Sequence, residues 1–380
     1  MPKGFSCASQ LVGLKKEGRD LSVFYSDTRA VAAGVFTKNK YPGIPVVLGR
    51  EIIKNGSLRA IVVNSKISNV GTGELGIVNA KRMAAATAKE FNIPVDEVIM
   101  SSTGVICVQL RIDEIEKGIA GISQEMGKNP IEAARGIMTT DTHPKALSMS
   151  VGNATITVVA KGSGMIEPNM ATMLCYIFTD AKIENPDLDQ ILRNAVNDSF
   201  NMLSVDSDTS TSDTCLILAN GQAGQVPLDQ FSEALRFICI RMAKILARDG
   251  EGATKLLLGH VQGAKSKTDA RTIAKSIINS PLIKTMAYGT DPNIGRVLMA
   301  VGKCFDCEVD PAKIEITLSG KNIFKNGERV NFDETEVRTL LASDPVTISV
   351  NLHLGDGEAT AFGCDLTEGY IDENAAYYST

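Results

Sequence analysis

Lys161-Gly-Ser-Gly-Met-Ile-Glu-Pro-Asn-Met-Ala-Thr-Met-Leu-Cys-Tyr-Ile-Phe178 joins two different kinds of chain. The first ten residues are irregular and glycine-rich, with Pro168 and Asn169 as turn formers. Residues 171–178 are an apolar run that predicts a buried strand. Before the loop, residues 148–160 alternate around Gly152-Asn153, which predicts a hairpin. After it follow a helix over 187–200, a polar loop over 204–213 and a strand over 214–219. Further upstream, Val46-Val-Leu48 and Ala60-Ile-Val-Val63 read as buried strands. Residues 74–91 read as an amphipathic helix stopped by Asn92-Ile-Pro94. A strand over 97–100 runs into Ser101-Ser-Thr-Gly104, and helices are expected over 112–120 and 130–138. Downstream, Phe231, Leu235, Ile238, Met242 and Ile245 form one helical stripe that ends at Arg248-Asp-Gly-Glu-Gly252. Helices over 268–279 and 293–302 and strands over 314–318 and 346–352 complete the pattern. Such alternation predicts a layered α/β protein.

The 380 residues carry a net charge of −5, with 44% hydrophobic and 22% charged residues. These values fit a globular chain and exclude disorder, collagen and coiled coil. No basic block marks a nucleic-acid surface, and no apolar run is long enough for a membrane span. Met1-Pro-Lys-Gly-Phe-Ser-Cys7 lacks a secretory core, so the eight cysteines are expected as thiols in a cytoplasmic protein. Cys304 and Cys307 are a lone pair without second-site partners, so no metal is expected. Asp206-x-Asp208 with Asp213 lacks the glycine and glutamate of a calcium loop and reads as a solvated, capped loop. Lys161-Gly-Ser-Gly164 has its lysine before the glycines, the wrong order for a phosphate loop.

Three positions carry two readings each. Thr172 is either a β-branched strand residue or a threonine exposed by cleavage of the Ala171–Thr172 bond. In the second case its new α-amine, with a reference pKa of about 7.7–8.0, is base to its own hydroxyl. Ser101-Ser-Thr-Gly104 is either a plain turn after a strand or an oxyanion hole made by the Thr103 hydroxyl and the Gly104 N–H. Glu251 is by default a solvated carboxylate, although Gly250 and Gly252 suggest close packing around it.

The segment 161–174 resembles the cleavage-site motif of the ornithine acetyltransferase family, the glutamate N-acetyltransferases of arginine biosynthesis. Other segments resemble the family in order: Ala33-Gly-Val-Phe-Thr37, Ser102-Thr-Gly-Val-Ile106, Thr139-Thr-Asp-Thr142, Asp208-Thr-Ser-Thr211, Arg248-Asp-Gly-Glu-Gly-Ala-Thr-Lys255 and Asp291-Pro-Asn-Ile-Gly-Arg296. The resemblance implies an α/β sandwich like that of N-terminal nucleophile hydrolases, with a smaller C-terminal α/β region. It implies self-cleavage into chains 1–171 and 172–380, two copies of each assembling as a heterotetramer. Thr172 would be the nucleophile and Thr103 and Gly104 the oxyanion donors. Thr139, Lys161, Thr172, Glu251, Asn374 and Thr380 would bind substrate. The implied ping-pong reaction moves acetyl from N2-acetylornithine to glutamate with no cofactor, and acetyl-CoA is a further candidate donor. An aminopeptidase or amidase with an N-terminal nucleophile, and an uncleaved binding paralogue, stay open as alternatives. The chain departs from the family pattern at Lys66 and Cys107, where glycine is usual, and at Ile294, where tryptophan is frequent.

Overall fold

A computed structural model describes residues 1–167 and 173–375 and divides them into two compact units. Of these, the first comprises residues 1–162, 173–201 and 209–242, and the second comprises 163–167, 202–208 and 243–375.

The first unit is built on one large sheet. Its opening elements are β1 (Phe5–Gln10), β2 (Leu21–Phe36), α1 (Ile44–Ile52), β3 (Ser57–Asn64), α2 (Gly73–Phe91) and β4 (Val98–Ser102). Then come α3 (Ile112–Ile119), α4 (Pro130–Ile137), the hairpin β5 (Lys145–Val151) and β6 (Ala154–Lys161), β7 (Leu174–Ala181), α5 (Asn185–Asp198) and β8 (Thr214–Gly224). The strands run β4-β3-β2-β8-β7-β6-β5, with β1 paired to β2. Alternate residues of one strand serve two cores. Val62 joins Val23, Met83 and Ile115 on one face, while Ile61 and Val63 join Phe24, Ile137, Tyr176 and Phe178 on the other. A sheet covered on both faces reads as continuous apolar runs, as β3 and β7 do.

Helix α6 (Leu228–Arg248) leads into the second unit, whose elements are β9 (Leu256–Ala264), α7 (Lys267–Asn279), α8 (Pro281–Tyr288) and α9 (Ile294–Gly302). These are followed by β10 (Glu315–Leu318), β11 (Lys321–Lys325), β12 (Glu328–Arg329), α10 (Glu334–Leu341), β13 (Val346–Asn351), β14 (Gly357–Cys364) and α11 (Glu368–Ala375). Its sheet order is β12-β11-β10-β13-β9-β14, and α7 lies against β9 and β14. The layered α/β class and the smaller C-terminal region expected from the sequence are both present.

One element differs in type from the sequence reading. Val46-Val-Leu48 is not a strand but the middle of α1, which starts with Pro45 in its first turn. Proline presets the helical φ there, and Val46 is buried while Val47 is 47% exposed, as on a helix face. Three apolar residues are too few to separate a strand from a helix by periodicity. The expected strand start at Ala171 and Thr172 lies outside the described residues.

Candidate functional site

In the first unit the turn after β4 is fixed from both sides. Strand β4 runs parallel to β3, and at their ends Ser102 Oγ donates to Asn64 Oδ1 (2.6 Å). The Thr103 N–H donates to the Asn64 carbonyl at 3.1 Å. Gly104 follows with φ +129°, and a Cβ there would lie 2.1 Å from the Lys66 carbonyl carbon. Only glycine fits so close an approach at that φ. The Lys66 carbonyl itself accepts the Val105 N–H at 2.9 Å. Among the described residues, none accepts a hydrogen bond from the Gly104 N–H.

The Thr103 hydroxyl is buried and accepts from Lys161 Nζ at 3.3 Å. With that contact filling an oxygen lone pair, the hydroxyl hydrogen is left to donate elsewhere. Thr103 O–H and Gly104 N–H are therefore adjacent donors on one rigid turn.

Lys161 closes β6, opposite Leu174 of β7. The residue that organises this end of the sheet is Asp141, to which the sequence reading gave no role. Its carboxylate accepts from Lys145 Nζ (2.5 Å), the Gly162 N–H (2.7 Å) and the Thr139 N–H (2.9 Å). Both side chains of the Asp141–Lys145 pair are fully buried. Burial pushes the Asp141 carboxyl up, but the Lys145 and Lys161 charges and the bonds from Lys145 and Gly162 outweigh it and hold its pKa at about 2. Thr139 and Lys161, both expected at the site, are thus brought to one carboxylate: Thr139 by its own N–H, Lys161 by its charge and by the N–H of the next residue. The only signal for Asp141 in the sequence was its place inside Thr139-Thr-Asp-Thr142.

In the second unit a separate group forms around Glu251. The carboxylate is not solvated: Glu251 is 8% exposed. Its N–H donates to the Ser163 carbonyl (3.0 Å), and Ser163 Oγ donates to the Asp249 carbonyl (2.6 Å). Gly164 explains the glycine-rich run, because a Cβ there would lie 2.2 Å from the Glu251 carboxyl carbon. From α11, Asn374 Nδ2 donates to Glu251 Oε2 at 2.8 Å and to the Tyr370 carbonyl at 2.9 Å. The structure thus brings Asn374 and Glu251 together, as two members of the expected substrate set.

Asp206 is a second residue the sequence reading passed over, as part of a solvated loop. It accepts the Met165 and Ile166 N–H groups at 2.5 and 2.7 Å, and burial pushes its carboxyl up against those bonds. Burial, followed by the Asp206 and Glu251 charges, pushes the Tyr370 phenol up to about 12. Among the described residues, no cluster of His, Cys, Asp and Glu has the composition of a metal site. Ala171, Thr172 and Thr380 lie outside the described residues.

Comparison with known proteins adds the following. The ArgJ family pattern matches residues 6–379. The chain is 50% identical to an arginine biosynthesis bifunctional protein ArgJ 2 of Clostridium acetobutylicum, over 99% of this chain and 98% of that protein. It is 40% identical to the glutamate N-acetyltransferase Oat2 of Streptomyces clavuligerus, over 99% and 98% of the two chains. A crystal structure of an arginine biosynthesis bifunctional protein argJ from Bacillus halodurans is similar with a TM-score of 0.52 and 41% identity. That match covers 53% of this chain and 98% of the solved one.

Proposed function

The chain belongs to the ArgJ family, and from that premise we propose that it is the glutamate N-acetyltransferase of arginine biosynthesis, working through an acetyl-threonine at Thr172. Before catalysis the Thr172 hydroxyl attacks the Ala171 carbonyl carbon, and the peptide nitrogen leaves as the new α-amine. Water then hydrolyses the ester to free the Ala171 carboxylate. The full-length match to relatives, together with a solved relative only about half as long as this chain, supports such a division into 1–171 and 172–380.

In each cycle the neutral Thr172 amine takes the hydroxyl proton as Oγ attacks the acetyl carbonyl of N2-acetylornithine. The developing oxyanion is held by Thr103 O–H and Gly104 N–H. The proton passes to the leaving ornithine amine, and the α-amine of glutamate then takes the acetyl group from the ester. The observation that carries this reading is the Thr103–Gly104 turn, with one donor freed by Lys161 and the other unclaimed among the described residues. Lys161, whose charge acts on the carboxylate that also accepts the Thr139 N–H, is assigned to the α-carboxylate that both substrates share. Glu251, with Asn374 beside it, is assigned to the side-chain ammonium of acetylornithine. Thr380 belongs to the same proposed substrate set.

The reaction as written needs no cofactor, and acetyl-CoA is included as a second donor. A heterotetramer of two N-terminal and two C-terminal chains, in the cytoplasm, belongs to the same proposal. Among the described residues, no helix is long and apolar enough to cross a membrane. The deciding assay follows acetylornithine turnover with and without glutamate. Turnover that depends on glutamate and yields acetylglutamate is expected. Equal turnover without glutamate would make the enzyme a hydrolase instead, and no turnover of either kind would leave only a binding protein.

A further inference from the structure

Lys66 stands at φ +79°, in the left-handed region where an L-residue carries strain and glycine does not. Its carbonyl is the group that packs on Gly104 and receives the Val105 N–H, so its backbone is built into the oxyanion turn. A glycine would meet that backbone need without strain, so the side chain calls for its own explanation. Lys66 is half-buried, and among the described residues nothing pairs with its ammonium.

The neighbouring cations differ from it in this respect. Lys15 Nζ donates to the Arg19 and Met138 carbonyls at 3.0 and 2.8 Å. Lys145 is matched by Asp141, and Lys161 is engaged with Thr103. These charges share one neighbourhood: burial lowers the Lys15 pKa, Asp20 and Asp141 raise it, and Lys161 and Lys66 lower it. Against the four cations Lys15, Lys66, Lys145 and Lys161 stand two carboxylates, Asp141 and Asp20, the latter also accepting the Val12, Leu14 and Lys15 N–H groups. These named charges therefore sum to an excess of positive charge, and Lys66 is the cation among them whose ammonium has no hydrogen bond or ion pair among the described residues.

We propose that Lys66 is a specificity residue that binds the side-chain carboxylate of the acyl acceptor. This inference rests on the acetyl-transfer reading above. The two amino acids share an α-amino acid end and differ in side-chain charge. An ammonium beside the turn attracts the γ-carboxylate of glutamate and repels the δ-ammonium of ornithine. Once Thr172 is acetylated, it favours the incoming acceptor over rebinding of the product just released.

The test uses the self-processed enzyme and two acceptors of equal shape, glutamate and glutamine, with acetylornithine as donor. The readout is the ratio of their kcat/KM values. Lys66→Met should lower the preference for glutamate about ten-fold, the lower end for a charge-assisted hydrogen bond. Lys66→Arg should keep most of the preference. Lys66→Gly should lose it like Lys66→Met while raising the melting temperature, because the strained φ is relieved. Retained preference in both Lys66→Met and Lys66→Gly would overturn the assignment. So would equal losses for the two acceptors that follow the melting temperature, since Lys66 would then matter only for structure. A wild-type enzyme that transfers acetyl to neither acceptor would reject the underlying reading instead.

Discussion

Asp141 shows how a single residue sets the site's electrostatics. Its carboxyl is held at about 2, below the ordinary 3.8, so it stabilises the folded state above about pH 4. That stabilisation fades as pH falls from about 4 through about 2, because protonation removes the partner of buried Lys145. Asp141→Asn should cost about 3–5 kcal/mol at neutral pH, the usual penalty for breaking a buried ion pair from one side. The mutant's melting curve should also lose the part of the acid dependence that lies between about pH 4 and 2. Thermal unfolding across pH checks both points, and an unchanged melting temperature would remove Asp141 from this role. Thr103 is the matching test of chemistry. Thr103→Ala should slow transfer by about 10²–10³ with stability kept, whereas Thr103→Ser should be mild. Thr103, Gly104 and Lys161 could be named from the sequence because they fall in long motifs. Asp141 could not, because its role depends on three donors from Thr139, Lys145 and Gly162 that only folding brings together.

At the scale of elements, the same glycine-rich stretch serves two structural tasks. Gly162 puts its N–H on Asp141, and Gly164 leaves room for the Glu251 carboxylate. Gly164→Ala should therefore displace the Glu251 side chain rather than unfold the protein, raising KM for acetylornithine more than for glutamate. Glu251→Gln should act in the same direction by removing charge, raising the acetylornithine KM by about 10- to 150-fold. Half-reaction kinetics with each substrate check this pair. Equal losses on both, with a lower melting temperature, would mean that Glu251 only anchors Ser163 and Asn374. The elements with length and a clear period were legible: 74–91 became α2 and 148–160 became the β5–β6 hairpin. The short apolar run at 46–48 was not, since Pro45 decided in favour of a helix. The polar loop around Asp206 was read as solvated because nothing local shows that it accepts two N–H groups from Met165 and Ile166.

At the scale of the whole molecule, the two compact units are not the two proposed cleavage products. Residues 1–162 and 173–201 share the first unit, and 163–167 and 243–375 share the second, so a cut after Ala171 would leave both products in both units. A product removed from its partner would lack part of each core. Lys161 of β6 pairs with Leu174 of β7, so the two products would also stay joined by sheet hydrogen bonds. Layered α/β architecture was legible because strands covered on both faces read as apolar runs. The division into units was not, since each draws on segments distant in sequence. The most direct test of the central claim is the intact mass of the purified enzyme after brief exposure to N2-acetylornithine, with Thr172→Ala as control. The expected result is two fragments, the one beginning at Thr172 heavier by one acetyl group, which disappears when glutamate is added and appears as acetylglutamate. The control should stay in one piece and gain nothing. An uncut wild-type chain that still turns over acetylornithine, or an acetyl group carried by another residue, would contradict it.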